Sequence, residues 1–414
     1  MKTVILTAFH FPPLVGTSGI QRTLRFVQHL PAFGWRPVVL TVRRGIHKVV
    51  DLSTEQSFPE TCEVIRAGCL DTARHLSLGG RYLSSMALPD RWASWQWFAR
   101  LQHGALREMQ AQVVWSTYPI ATAHHVGYGL ARALDLPWVA DFRDPMAQDG
   151  YPSDPRQHRA FLQTERLAVE HAKKLVFVAP SALDTYRKRY AQAPADRFEL
   201  IPNGYDEASF EGLSATPPPV REDRPLVLLH SGVIYQQERN PDCLFQALRT
   251  LQEQGEVSPD QLQLRFRATA NDDFVRECAA RHGVEAFIEI ASRVSYREAL
   301  QEMLEVDGLL VLQSATCNEQ IPAKLYEYLR TGRPIMALAD PAGDTGGLLR
   351  SLDLPWVTPL ESTEGITTLL RQALGELRAG QARGPARSAV ECYSRRALTG
   401  QLAALLDGVS EGSR

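Results

Sequence analysis

The sequence predicts an α/β protein built from two Rossmann-like, doubly wound domains in series, facing each other across a cleft. Three observations carry this. Short apolar runs alternate with amphipathic stretches through the first half, a proline-rich, charged segment interrupts them at Ser214 to Pro225, and the same alternation then restarts. Alternation of this kind implies parallel sheets with helices on both faces. The proline-rich segment is the linker candidate, which divides the chain into residues 1–212 and 213–392, followed by a tail of about 393–414.

In the first half, Val4 to Ala8, Pro37 to Val42, Val113 to Ser116, Pro137 to Ala140 and Leu175 to Ala179 read as buried strands, because each is a short, nearly continuous apolar run. Ile20 to Ala32, Trp95 to Met109, Ala121 to Ala133 and Arg159 to Ala172 carry the helical period between them. The second half repeats the pattern. Strands are expected at Leu226 to His230, Gln263 to Ala268, Phe287 to Ile290, Gly308 to Leu312 and Pro334 to Leu338. Helices are expected at Asp242 to Gln254, Asp273 to His282 and Lys324 to Thr331, the last stopped by Gly332. Ala386 to Leu406 closes the chain as an amphipathic segment.

A chain of 414 residues is long enough to bury two cores without staples. Its net charge of −2 argues against bulk attraction to nucleic acid, so no nucleic-acid partner is expected. Six scattered cysteines contain no Cys-x-x-Cys pair, which suggests neither a zinc site nor a disulfide framework and fits a reducing compartment. Met1 to Phe9 is too short for the apolar region of a signal peptide, and no apolar run reaches about 18 residues. A soluble, cytoplasmic protein is the expectation.

The chemistry concentrates in a few segments. Glu319-Gln-Ile-Pro-Ala-Lys-Leu-Tyr-Glu327-Tyr-Leu-Arg-Thr-Gly-Arg-Pro334 lies between two strand-like runs. First-turn amides of the helix beginning near Pro322, including that of Leu325, would face an anion at the carboxyl end of the preceding strand. A diphosphate suits that position, with Glu327 one turn inside to accept from a ribose diol and Glu319 on the loop to reach hexose hydroxyls. Gly232 and Arg239 lie in His230-Ser-Gly-Val-Ile-Tyr-Gln-Gln-Glu-Arg-Asn-Pro241, after the first strand of the second half. Arg239 is the diphosphate candidate, since guanidinium binds phosphate oxygens in pairs, and Lys324 supplies a second positive charge. In the first half, Gly16 and Gly19 sit in the loop after the first strand, where glycine lets the backbone approach a phosphate or sugar. Gly-Thr-Ser-Gly lacks the third glycine of a dinucleotide fingerprint. Asp141 and Asp144, in Trp138-Val-Ala-Asp-Phe-Arg-Asp-Pro145, end a strand and suit a group that orients or deprotonates an acceptor hydroxyl. Structurally, Asp141 pairs with Arg143 or Asp144 caps the next segment. His124 and His125 are further acceptor-contact candidates.

The 319–334 segment resembles the donor-site signature of the retaining GT-B glycosyltransferases, in particular glycosyltransferase family 4 members with an Ile-Pro-x-Lys-Leu-x-Glu-Tyr variant. The Pro137 to Pro145 stretch resembles one branch of that family, and Ile201-Pro-Asn-Gly204 resembles the turn before its interdomain crossover. The resemblance implies transfer of a hexosyl group from a nucleoside diphosphate sugar to a glycan or lipid-linked acceptor in cell-surface polysaccharide synthesis. It also implies front-face attack, and a final helix that crosses back to the first domain. No Asp-x-Asp is present, so neither a catalytic metal nor a cofactor is expected, and side-chain cations with helix amides would do the neutralising. Leu88 to Arg100 holds three tryptophans and a phenylalanine among arginines, the composition of a peripheral contact with the inner membrane surface or of a core helix. Two other readings stay open: a nucleotide-sugar epimerase of the same fold, and a catalytically silent partner subunit that binds sugar nucleotides.

Overall fold

The computed structural model describes residues 1–15, 19–47, 49–79, 81–214 and 224–412. Gly16 and most of the predicted linker, 215–223, therefore lie outside the described residues. The chain separates into two units, Met1–Asn203 with Arg395–Arg414, and Gly204–Ser394. The division falls at 203/204 and 394/395, where the sequence suggested 212/213 and 392/393. The residues between follow their packing: Phe210 is buried with Leu300 and Leu329, Tyr205 bridges to Ser394, and Glu207 pairs with Arg330.

The first unit holds a parallel sheet of β1 (Lys2–Thr7), β2 (Trp35–Val42), β3 (Glu63–Ala67), β4 (Val113–Thr117), β5 (Trp138–Arg143), β6 (Lys174–Phe177) and β7 (Phe198–Leu200), in the order β3-β2-β1-β4-β5-β6-β7. The second holds β8 (Leu226–Ser231), β9 (Leu262–Arg267), β10 (Ile288–Ala291), β11 (Gly308–Leu312), β12 (Ile335–Leu338) and β13 (Val357–Thr358), in the order β10-β9-β8-β11-β12-β13, again parallel. Strands such as Gly308–Leu312 are buried along their whole length, as strands covered on both faces must be.

Each sheet reverses its strand order once, between β1 and β4 and between β8 and β11. Loops leaving the carboxyl ends of those strands diverge and open a crevice, the usual place for a ligand in such sheets. Gly308 starts β11 because a Cβ there would come within 2.7 Å of Leu228 on the neighbouring strand.

The closing helix, Arg395–Glu411, packs Leu398, Leu402 and Leu406 against Val4, Phe26 and Trp35 of the first unit. Its Asp407 accepts from Lys2 Nζ at 2.9 Å and from Trp35 Nε1 at 3.1 Å. The Trp95 to Met109 stretch is two helices, Trp95–Arg100 and His103–Glu108, rather than one. Among the described residues, no helix is long and apolar enough to cross a membrane.

Candidate active site

In the second unit, the crevice between β8 and β11 is shaped by backbone ties that fix two loops against each other. The Ser314 amide, just past β11, donates to the Glu238 carbonyl at 2.7 Å. Buried Gln313 braces the 314–322 loop from inside, donating to the carbonyls of Cys317 at 2.6 Å and Gln320 at 2.8 Å and accepting from Thr345 Oγ1 at 2.5 Å. Tyr328 reaches from the Ala323–Thr331 helix to the end of β8, where its hydroxyl accepts from the Ser231 amide at 2.8 Å.

Gly232 follows with φ +155°, a conformation that favours glycine. Arg239 stands over it, with Nη1 4.0 Å from the position of a Gly232 Cβ. Its guanidinium is held by the Val233 carbonyl at 2.9 Å and lies 5.2 Å from the centroid of the Tyr235 ring, so it is anchored in the loop. Burial pushes His230 down to about 4, and the positive charges of Arg239 and Lys324 act in the same direction. His230 is thus a buried, neutral imidazole, whose Nε2 has no hydrogen-bond partner among the described residues.

The Ala323–Thr331 helix has Pro322 at its N-cap and Gly332 in the left-handed conformation at its end. Glu327 lies one turn in. Its Oε1 accepts from Tyr296 Oη at 2.8 Å, and its Oε2 is 2.7 Å from Lys324 Nζ, which itself lies 5.8 Å from the Tyr296 ring centroid. Leu325 does not serve as expected: its side chain is fully buried and its amide donates to the Pro322 carbonyl at 2.9 Å. The amides of Ala323 and Lys324 begin the helix and have no carbonyl within it to bond. Glu319 is half-buried on the preceding loop.

In the first unit the equivalent crevice is built around Gly19, the first residue of the Gly19–His29 helix. A Cβ there would come within 2.9 Å of Arg143 Nη1 and 3.2 Å of His10 Nδ1, so only glycine lets these side chains meet the helix start. Arg143 reaches this place through an irregularity: the β5–β6 register shifts between Asp141 and Arg143, and Arg143 takes φ +60°, rare for a residue with a side chain. Asp144 follows it. Burial raises the Asp144 pKa, and the Arg143 charge opposes that shift. Burial, with help from His47 and Arg143, pushes His10 down to about 4.

Asp141 and His124 occupy other places than those expected. Asp141 is fully buried, with its oxygens 2.9 Å and 3.0 Å from Arg22 and 3.0 Å from Thr117 Oγ1, and it pairs with Arg22 rather than Arg143. Arg22 in turn donates to the Pro202 and Ile201 carbonyls at 2.9 Å and 3.0 Å, so this ion pair pins the Ile201-Pro-Asn turn. Sheltered there, Asp141 cannot touch an acceptor. His124 is likewise fully buried, 2.8 Å from Ser116 Oγ and tilted against Phe142, and burial pushes it down to about 3. His125 bonds to Thr164 at 2.9 Å.

Sequence reasoning passed over Tyr296, His10 and Arg22. Tyr296 sits 31 residues before Glu327, and only the Ser295-x-x-Glu298 capping box at its helix start marks the position. His10 and Arg22 both flank the glycine loop, whose glycines carry the stronger sequence signal. The aromatic cluster divides: Trp95 is fully buried, Trp92 packs 4.8 Å from Phe9, and Arg91 pairs with Asp71, while Trp97 is 70% exposed.

Residues 18–204 match the family model described as a glycosyl transferase 4-like domain. Among solved structures, sucrose-phosphate synthase from Thermosynechococcus elongatus aligns over 100% of both chains with a TM-score of 0.69 at 14% identity. HepE from Anabaena, solved in complex with UDP, aligns over 99% of this chain and 100% of its own, with a TM-score of 0.65 at 14% identity. A putative UDP-N-acetylglucosamine 2-epimerase from Listeria monocytogenes aligns over 100% and 98%, with a TM-score of 0.58 at 12% identity. At these identities the likeness is one of fold. No curated protein matches the sequence.

Proposed function

We propose that this chain, which has the fold of the solved glycosyltransferase structures and matches a glycosyl transferase 4-like domain at residues 18–204, is a retaining hexosyltransferase that uses a nucleoside diphosphate sugar and needs no metal ion for the transfer. The observation that carries this is that two places meet the order reversal of the second sheet: the Lys324–Glu327 pair, on a helix that Tyr328 ties to the end of β8, and Arg239, over Gly232 just past β8. Arg239, Lys324 and the amides of Ala323 and Lys324 stabilise the leaving diphosphate. Glu327 accepts from the ribose diol, and Glu319 holds the hexose. The solved complexes of HepE with UDP and with UDP-glucose support a donor of this class.

In the transfer, the bond from the anomeric carbon to the phosphate oxygen breaks while the acceptor oxygen bonds to the same face. The acceptor's proton passes to the departing phosphate oxygen. Asp144 orients the acceptor hydroxyl, and His10 and Arg143 line the same crevice. The acceptor is a glycan or a lipid-linked glycan of cell-surface polysaccharide synthesis. Exposed Trp97 and Leu101, beside a pocket of about 640 Å³ lined in part by Arg100 and Arg132, support a peripheral contact with an anionic membrane surface.

A panel of UDP-, GDP- and ADP-sugars with glycan acceptors tests the proposal. Nucleotide release that requires an acceptor, with product of the donor's anomeric configuration by NMR, is the expected result. Release without an acceptor together with a rearranged sugar identifies an epimerase, inverted product overturns retention, and binding without turnover identifies a silent subunit.

A further inference from the structure

Away from the donor residues, the helices Asp242–Glu253 and Asp272–His282 bring together three side chains of the kinds that bind transition metals. Cys278 and His282 stand four residues apart on one face of the second helix, and Asp242 opens the first. Asp242 Oδ1 lies 3.0 Å from His282 Nε2 and 3.4 Å from Cys278 Sγ, and the three ligand atoms are all within 4.8 Å of one another. A tetrahedral zinc ion, with bonds of about 2.0 Å to oxygen and nitrogen and about 2.3 Å to sulfur, has edges of about 3.3 Å between oxygen and nitrogen and about 3.5 Å between oxygen and sulfur. The two observed separations lie close to those edges, and the sulfur–nitrogen edge, at most 4.8 Å, closes on an ion by side-chain rotation.

Access and charge agree with this. Cys278 is fully buried, but the side chains of His282 and Asp242 are 19% and 34% exposed, which leaves a path for the ion and room for water as a fourth ligand. A carboxylate and a thiolate together balance a divalent charge. Arg281 Nη2 lies 3.0 Å from Asp242 Oδ1, and its side chain is 59% exposed, so it turns out to solvent when the ion replaces it. Mixed sulfur, imidazole and carboxylate donors select zinc over magnesium or calcium.

We propose that Asp242, Cys278 and His282 form a zinc site, completed by a water, that ties the start of the helix following the Arg239 loop to the next helix. Uptake of the ion releases the Cys278 thiol proton to solvent, so binding weakens as the pH falls. The Cys-x-x-Cys spacing sought in the sequence does not describe such a site, because its third ligand comes from 36 residues upstream.

The test uses the full chain, stripped with chelator and titrated first with cobalt and then with zinc against a chromogenic chelator. Expected are one equivalent of tetrahedral cobalt with a thiolate charge-transfer band, and zinc affinity that falls about 100-fold or more in both Cys278→Ser and His282→Gln. His282 lies at the surface end of the site, so its variant keeps the test decisive if the buried serine prevents folding. Absence of the thiolate band in the wild type overturns the proposal. So does a band that persists in folded His282→Gln, which would place the metal on other cysteines.

Discussion

Removing the Glu327 carboxylate separates donor binding from folding. In the free protein its two oxygens engage Tyr296 Oη at 2.8 Å and Lys324 Nζ at 2.7 Å. Both partners reach solvent: Tyr296 is 47% exposed and the Lys324 side chain 34% exposed. Glu327→Ala therefore leaves groups that water can satisfy, and its cost to folding is about 1 kcal/mol, the sum of a modest hydrogen bond and a weak ion pair within a helix. That corresponds to a melting shift of roughly 2–4 °C in a unit of this size. The loss in donor binding is larger. A carboxylate that accepts from a ribose diol makes charge-assisted bonds worth about 1.5–3 kcal/mol, so the dissociation constant for nucleotide rises about 10- to 150-fold. Tyr296→Phe removes only the bond that orients the carboxylate and weakens binding less. Isothermal titration of the nucleoside diphosphate into each variant, with melting measured alongside, decides the matter. Wild-type affinity in folded Glu327→Ala would falsify the ribose contact.

Four further outcomes follow from the same geometry. Asp141→Asn strands the buried Arg22 guanidinium and destabilises the first unit by about 3–5 kcal/mol in urea unfolding, whereas a cost below about 1 kcal/mol would mean that the pair is not buried as described. Gly19→Ala forces Arg143 and His10 aside, so it raises the acceptor KM while nucleotide affinity, read by calorimetry, stays unchanged; a loss confined to the nucleotide would reassign this crevice. Added magnesium or manganese leaves turnover unchanged, and a strict dependence on either would remove the neutralising role of Arg239 and Lys324. Stability declines as the pH falls from about 6.5, because His124, His10 and His230 titrate near 3, 4 and 4 when folded, below the ordinary histidine value of 6.5. The unfolded chain takes up those protons first, so each histidine contributes up to about 1.4 kcal/mol per pH unit between the two values. Urea midpoints that do not change between pH 7 and pH 5 would contradict this.

The central strands were readable because strands buried on both faces are nearly continuous apolar runs, as Val4 to Ala8, broken only by Thr7, and Gly308 to Leu312 are. The edges were not. β3 is Glu-Val-Ile-Arg-Ala and mostly half-buried, while β7 and β13 have three and two residues, too short to show a period. The Trp95 to Met109 pattern kept its helical spacing across the break after Arg100, so periodicity alone could not reveal it. The Glu319 to Pro334 segment was legible as loop and helix because strand end, Pro322, Lys324, Glu327 and Gly332 follow one another within it. The Tyr296 contact was not, since nothing in sequence links it to a carboxylate on another helix.

Asp141 and Asp144 show where sequence reasoning about a strand's carboxyl end must stop. Both lie at the end of β5, and both are carboxylates, so position and type give them equal claims. What separates them is the local backbone. Side chains alternate along a strand, and an uninterrupted β5 would fix the faces taken by Asp141, Arg143 and the residue beyond. The register shift and the positive φ at Arg143 break that alternation. Asp141 is left on the inside, paired with Arg22, while the Arg143 guanidinium comes to the start of the Gly19 helix. The same pair holds the Pro202 and Ile201 carbonyls, so the charge that looked available for chemistry instead fixes the turn after β7. Backbone strain of this kind persists only where surrounding contacts enforce it, and the buried Arg22–Asp141 pair anchors the chain two residues before Arg143. A variant that relaxes Arg143 should therefore disturb the Gly19 crevice before it disturbs the core.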